Sequence, residues 1–543
     1  MSGQAPSRIS ITTLEGEEYP EEINLATGMT HRFYSRAFVN TVSGEQSIGA
    51  AEQRDVLNDV EFDVMEESAP GVVQAMPNGC LWARSPGQAT VRLSAYSLQK
   101  GQLEAYVKLN VSSVASLTAA QNRDLGSVSN FSVEQLKTPK GTFYGLIRSN
   151  QFSVIDGSNQ VVGGIQNVAL DRAVVNTSVR VWKDIQNEGF FTSYGIPGTS
   201  PKQKISTRFF PLSFQANASS LVSESPENDR IVLAIRKVYG GRSSSGMPVS
   251  FVVSRDQDLS TNSQTVTFNT ERVVLFGLVD QNFPVSFPNQ FSSSYIPDGS
   301  GTSEILRMKL TDAELNSAIQ FAQGQSGLFY FAVGTYAVKG QTQGQFTHKN
   351  ALKVIISDGS QHQVETPLGS DTLASNKAFA LEASFDVPQI VFIRSDKKLI
   401  FLQRLSGQWK SAQLDKDDAD PDFPPKFIAN SEDGTLMVAW KKSSKLYLQI
   451  SKDFGANWLQ SPLDSGVNAS DAALVPLPCG GSGLVTVEGS ILNLRFMDDG
   501  SKTPSSAVQL GAPFKEIQIF RERQMIKIFY VDGSGKLYMT SFP

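Results

Sequence analysis

Gln389-Ile390-Val391-Phe392-Ile393, Leu436-Met437-Val438-Ala439-Trp440, Gly483-Leu484-Val485-Thr486-Val487 and Ile526-Lys527-Ile528-Phe529-Tyr530 are four copies of one short apolar segment. A polar turn follows each: Ser395-Asp396-Lys397-Lys398, Lys442-Ser443-Ser444-Lys445, Glu488-Gly489-Ser490 and Asp532-Gly533-Ser534-Gly535-Lys536. A second apolar segment then begins at Leu399, Leu446, Ile491 and Leu537, at intervals of 47, 45 and 46 residues. Short apolar runs bounded by such turns read as strands. A strand-turn-strand unit recurring every ~40–50 residues is the pattern of β-propeller blades. One small sheet leaves both faces bare, and stacking the copies around a ring covers them.

Working upstream, Ala351-Leu352-Lys353-Val354-Ile355-Ile356 follows the apolar run Leu328 to Val338 and makes a further unit. Thr142 to Ile147, the turn Arg148-Ser149-Asn150 and Phe152 to Ile155 make another. Between Asn167 and Gly340 the regularity loosens, with strands expected at Ile231 to Val238, Val249 to Val253, Val273 to Val279 and Ile305 to Leu310, so insertions are expected there. The last unit stops short of a full blade, and a segment near Val114 to Ala120 is expected to complete it. The count comes to about seven blades over residues 114–543.

Residues 1–113 read differently. Ala89-Thr90-Val91-Arg92-Leu93-Ser94-Ala95 places an apolar side chain at every second position, as do Ala105, Val107, Leu109 and Val111. This is the pattern of strands with one packed and one wet face. Asn78-Gly79 and Pro86-Gly87 mark tight turns on either side of a short strand. The stretch Met76 to Val91, closed by Tyr106-Val107-Lys108-Leu109-Asn110-Val111, resembles the bacterial immunoglobulin-like (group 2) family. The resemblance implies a sandwich that serves as a stalk or attachment module. The expected architecture is therefore all-β, an N-terminal Ig-like β-sandwich followed by a propeller.

Ser451-Lys452-Asp453-Phe454-Gly455-Ala456-Asn457-Trp458 is similar to the Asp-box of sialidase-type repeats, with Asn457 where that family usually has Thr. The resemblance assigns Ser451, Asp453, Gly455 and Trp458 to a folding device: side chains that bond the local backbone, a glycine at positive φ, and an indole packed beneath. Ser254-Arg255-Asp256 is read as a decayed copy. Sialidase chemistry needs an arginine cluster, a tyrosine nucleophile with a glutamate, and an acidic aspartate. The early Arg-Ile-Pro motif of that family is absent, so no enzyme activity is expected.

Other chemistry is thinly represented. The 48 Lys and Arg against 53 Asp and Glu leave a net charge of -5, without the positive field that nucleic acid requires. No apolar run approaches the roughly 20 residues of a membrane helix, and neither metal nor cofactor is expected. His31, His348 and His362 show no ligand spacing, and Tyr239-Gly240-Gly241-Arg242-Ser243 reads as a hairpin tip rather than a phosphate loop. The carboxylates at Asp415, Asp417, Asp418, Asp420 and Asp422 are expected in a solvated loop between blades, with calcium as the competing reading. Thr311-Asp312-Ala313-Glu314 is a capping box, predicting a helix that runs on through Ile319 and Ala322. Cys80 and Cys479 are expected as free thiols of a protein that folds in a reducing cytosol, and no secretory signal is read at Met1 to Glu22.

An Ig-like module, a propeller, no export signal and free thiols together suggest a bacteriophage virion protein of the tail or its appendages. It would be made in the host cytoplasm in multiple copies, with other virion proteins and a bacterial surface receptor or glycan as partners. The alternative is a secreted or surface glycan-binding lectin or glycosidase-like propeller.

Overall fold

The computed structural model describes residues 6–41, 44–48, 58–97, 99–114, 120–162, 165, 168–170, 179–185, 188–197, 203–213, 221–224, 232–243, 246, 248–256, 270–278, 291–295, 307–308, 318–339, 346–358, 362–369, 371–430, 432–489, 491–497, 506–509, 514–522 and 525–542. Eight antiparallel sheets of four or more strands follow one another along the chain from residue 131, numbered here as blades 1 to 8. Their first strands are Phe131–Thr138, Val179–Asp184, Val232–Arg242, Ile319–Gln323, Phe379–Glu382, Lys426–Ala429, Asp471–Pro476 and Phe514–Glu522.

Contacts between neighbouring blades run in a closed circuit, and at seven of the joints they are apolar clusters. Phe152 and Val154 of blade 1 pack with Phe190 and Phe210 of blade 2, and Phe251 of blade 3 with Phe329 and Phe331 of blade 4. Leu381 and Phe392 of blade 5 meet Tyr330 of blade 4, while Phe401 of blade 5 meets Trp440 of blade 6. Leu448 of blade 6 meets Leu484 of blade 7, Leu494 of blade 7 shares a core with Ile528 of blade 8, and Phe529 of blade 8 packs with Tyr144 of blade 1. Blades 2 and 3 are joined by the Asp184–Arg242 ion pair and by Gly240, which has room for Trp182 only because it lacks a side chain. The molecule is a β-propeller, with one blade more than the sequence count.

The first strand of each blade has a sheet neighbour on one side only, so its free edge needs other hydrogen-bond partners. At three joints, side chains of the adjoining first strand supply them. Gln518 of blade 8 accepts from Val133 N at 3.2 Å, Ser132 of blade 1 accepts from Val181 N at 2.9 Å, and Gln320 of blade 4 bonds both Phe379 O (2.7 Å) and Leu381 N (2.9 Å) of blade 5.

The ring is clasped by its two ends. Ala120–Ser127 pairs antiparallel with Lys536–Phe542 and becomes the outer strand of blade 8. The clasp is the segment just beyond the one expected, beginning where Val114 to Ala120 ends. Blade 4 carries an inserted hairpin, Tyr336–Lys339 with Phe346–Lys349, between its second and third strands. Arg404 grips Glu365 with two nitrogens (2.9 and 2.8 Å), and Trp409 Nε1 adds a bond at 2.8 Å, stapling blade 5 to the outer strand of blade 4.

Three sequence expectations are corrected. Ile319 and Ala322 lie on the strand Ile319–Gln323, whose alternation with the ring core overrides the helical periodicity; the capping box itself falls outside the described residues. Ser254 to Asp256 lie inside the second strand of blade 3 rather than in a turn, so they are no Asp-box copy. Tyr239 to Arg242 belong to the first strand of that blade, and the hairpin tip begins at Ser243, whose carbonyl accepts from Gly246 N at 2.9 Å.

The N-terminal part folds as three small sheets. Gly87–Ser97 is flanked by Gly101–Ser112 and Asn58–Glu67, with Glu22–Ala26 added parallel to Gly101–Ser112. Arg8–Thr12, Tyr34–Thr41 and Gly44–Ser47 form the second sheet, and Thr30–Arg32, Cys80–Ala83 and Val73–Met76 the third. The alternating residues Ala89, Val91, Leu93, Ala95, Val107, Leu109 and Val111 are all buried. Burial of a large aliphatic side chain contributes ~1.5–3 kcal/mol. Asn78 (φ 62°) and Gly79 (φ 73°) turn the hairpin between Val73–Met76 and Cys80–Ala83, and a Cβ at Gly79 would strike the Phe33 carbonyl.

Candidate functional site

In an up-and-down sheet, the first-to-second and third-to-fourth turns emerge on one face of the ring. The second-to-third turns and the connections between blades emerge on the other. The N-terminal domain sits on the first of these faces. Thr30 Oγ1 donates to Pro478 O at 2.6 Å, in the first-to-second turn of blade 7. Next to it Cys80 and Cys479 form a disulfide, so the expectation of two free thiols is wrong: the fold brings together two cysteines separated by 399 residues. Lys137 at the end of the first strand of blade 1 lies 4.0 Å from Glu15. Beside this seam Arg521 of blade 8 pairs with Glu432 of blade 6 at 3.4 Å.

The opposite face is left open by this domain, and blades 5 and 6 give it a dense array of charge. Arg394 bonds Asp396 through two nitrogens (2.9 and 2.5 Å) and lies 3.7 Å from Asp371. The guanidinium holds the Asp396 carboxyl down at about 2. The segment bearing the five aspartates runs between these two blades and is stitched to both. Ala419 N donates to Lys397 O and Asp420 N to Lys441 O, each at 2.8 Å. Lys398 pairs with Asp418 at 2.7 Å, and Lys442 with Asp415 at 2.7 Å and Asp417 at 2.9 Å. Burial opposes the charge on Lys442, but the two aspartates outweigh it and raise its pKa. Asp415 is buried rather than solvated. Lys398 and Lys442 pair with three of these carboxylates, and among the described residues no group of three or more His, Cys, Asp or Glu is placed to hold a metal.

The Asp-box residues lie after the third strand of blade 6, on the face that carries the N-terminal domain. Ser451 Oγ lies 2.8 Å from Asp453 Oδ1 and accepts from Gly455 N at 2.9 Å. Asp453 accepts from Asn457 N at 2.8 Å and from Asn457 Nδ2 at 2.6 Å. Asn457 therefore adds its amide to the turn in place of a threonine hydroxyl. Gly455 has φ 88°, and Trp458 packs edge-on against Phe401 of blade 5 at 5.0 Å. The assembly ties a turn to its neighbouring blade and presents no reactive group.

A tyrosine and a glutamate do meet, where the ring closes. Tyr144 donates to Glu522 Oε2 at 2.8 Å, and Lys527 lies 3.2 Å from the same carboxylate. Tyr144 is wholly buried. Burial, then the Glu522 charge, drives its pKa upward, the wrong direction for a nucleophile. Sequence spacing gave no sign of this cluster, because its members come from opposite ends of the propeller. Glu382, at the end of the first strand of blade 5, is pushed up to about 8 by burial; the Ser384 hydroxyl at 3.4 Å is a weak partner. His31 lies on the strand Thr30–Arg32 of the N-terminal domain, and His348 and His362 fall on the blade 4 strands Phe346–Lys349 and His362–Glu365.

No family model matches the sequence, and no curated protein matches it. Solved structures similar to the chain include the Dos1 propeller (9% identity, 79% of this chain and 95% of that one, TM-score 0.42). The NanB sialidase of Streptococcus pneumoniae, as a single-residue mutant, overlaps at 10% identity over 91% of this chain and 97% of the other, with a TM-score of 0.30. An Aleuria aurantia lectin mutant bound to α-methyl-L-fucoside overlaps at 12% identity over 62% and 96%, with a TM-score of 0.29. At these values the function has to be argued from the residues of this chain.

Proposed function

We propose that this protein is a non-catalytic recognition propeller that binds carbohydrate on the face away from its N-terminal domain. The observation that carries the reading is that open face on blades 5 and 6. There Arg394, Lys397 and Lys398 are interleaved with Asp371, Asp396 and Asp418 on loops held rigid by the ring. A surface of mixed sign, rich in planar donors and acceptors, matches hydroxyl groups that both donate and accept. It selects neither a polyanion nor an acidic substrate. The residues that superficially resemble hydrolytic machinery, Tyr144 and Glu522, are sealed from solvent.

The N-terminal domain, read as an Ig-like module over residues 1–113, serves as a stalk on the other face. The Cys80–Cys479 bond is at home in an oxidising exterior. It also takes away one of the grounds for assembly on a phage particle, the pair of free thiols. Binding of the oxidised protein to an array of immobilised glycans tests the reading. Arg394→Ala and Asp371→Asn should each weaken a positive signal about tenfold without moving the melting temperature. Absence of any glycan signal, or release of sugar by the pure protein, would overturn the proposal.

A further inference from the structure

His31 is the central residue of the short strand Thr30–Arg32, opposite Leu81, with Arg32 opposite the disulfide-bonded Cys80. Its ring is 1% exposed and stands edge-on to Tyr19 (5.4 Å) and Phe33 (4.8 Å). Neither ring nitrogen has a hydrogen-bond partner. On one side Thr30 is bonded to Pro478 O, and the His31 carbonyl lies 3.6 Å from Cys479 Sγ. The imidazole is therefore wedged in the seam between the N-terminal domain and the propeller.

The charges facing this seam give a proton nowhere to go. From the N-terminal domain come Glu15, Glu17, Arg32, Tyr19 and Tyr34; from the propeller come Lys137, Glu432 and Arg521, with Asp433, which accepts from Gly480 N at 3.0 Å, and Lys452 beside Gly480. Glu15 lies toward Lys137 and Glu432 is paired with Arg521. Burial, with the Arg521 charge adding to it, pulls the imidazole down to about 3. An imidazolium here would gain no hydrogen bond and would meet a like charge.

We propose that the seam is an acid-sensitive latch: protonation of His31 opens the contact between the N-terminal domain and the propeller, while Cys80–Cys479 keeps the two parts tethered. Opening uncovers the turns of blades 6, 7 and 1 that the domain now covers, together with Arg521 at the end of the first strand of blade 8. Taking an ordinary histidine in the open state, the ratio of open to closed rises about 30-fold between pH 7.5 and pH 5. The latch works independently of what the open face binds.

Hydrogen exchange of the full-length oxidised protein tests it, with rates at residues 28–34 and 477–481 corrected for the intrinsic effect of pH. Protection should fall about 30-fold at pH 5 in the natural protein and hold in His31→Phe. Equal protection at both values in the natural protein overturns the latch. An equal fall in His31→Phe does so too, because the acid response then belongs to Glu15, Glu17, Glu432 or Asp433. Should His31→Phe not fold, the imidazole resonance of the natural protein decides. A ring that takes up its proton as the seam loses protection supports the latch, and one that stays neutral through the opening overturns it.

Discussion

Lys527 and Glu522 face each other at 3.2 Å inside the joint between the last blade and the first, the lysine side chain wholly buried and the glutamate nearly so. Lys527 also reaches Gly157 O and Asn159 Oδ1 of blade 1, each at 2.9 Å. Glu522 accepts a hydrogen bond from the Tyr144 hydroxyl. Both charges are thus partnered across the ring closure.

Removing one member strands the other in a medium that solvates it poorly. Lys527→Met should cost ~3–5 kcal/mol of stability. Lys527→Met combined with Glu522→Gln should recover a large part of that loss. Urea unfolding of the three proteins measures both values.

The disulfide supplies a second measurable increment. Cys80→Ser or Cys479→Ser should lower stability by roughly 2–4 kcal/mol, and the natural protein, unfolded without reductant, should show no free thiol. Two reactive thiols in that assay would place both cysteines apart.

Gly455 sits at φ 88°, and a Cβ there would meet the Phe401 ring at 2.7 Å and Leu436 Cδ1 at 3.1 Å. Gly455→Ala should therefore destabilise by about 1–3 kcal/mol, and Asp453→Ala by about 1–2 kcal/mol through the backbone groups it leaves unbonded. Glycan binding by either variant should match the natural protein wherever it remains folded, as calorimetry and array binding together would show.

Glu382 and His31 pull the pH dependence of stability in opposite directions. The Glu382 carboxyl is raised when folded, so its contribution is complete below the ordinary carboxylate range and is lost as pH climbs toward about 8. His31 is depressed when folded, so its contribution is complete above about 6.5 and is lost as pH falls toward about 3. Stability should peak in the mildly acidic range between them. Part of Glu382 reaches solvent, which limits the gain from Glu382→Gln at pH 8 to the order of 1–2 kcal/mol. Thermal melts of the two proteins from pH 5 to pH 8 should diverge as pH rises.

The clasp can be cut at a defined place. A chain starting at residue 115 retains Ala120–Ser127 as the outer strand of blade 8, whereas one starting at residue 128 lacks it. The longer chain should unfold in a single cooperative transition and the shorter should not, by circular dichroism on heating.

How far the fold could be read depended on how local its causes are. The strands at Gln389, Leu436, Ser482 and Met525 recur in step because each blade repeats the same strand-and-turn chemistry within one short stretch. The count fell short where long connections widen blade 3 and where the hairpin Tyr336–Lys339 with Phe346–Lys349 splits blade 4, since both interrupt the period that was being counted. Ile319 has apolar neighbours at helical spacing, yet the aromatic cluster around Phe329 claims it for a strand. The site depended on distant causes. Asp415 looked solvated in sequence because its partner Lys442 comes from the next blade. Cys80 and Cys479 had no spacing to give them away, and Tyr144 meets Glu522 only because the ring closes.

Lys536 and Asp124 are 412 residues apart along the chain yet paired across the clasp. A ribosome thus emits one half of the fastener early and holds back the other until all the blades between them have been made. Throughout that interval the nascent disc is an arc with a raw flank, and a chain cut short just before Lys536 would remain a permanent arc rather than become a smaller working wheel. Chaperones and proteases would see that difference before any ligand could.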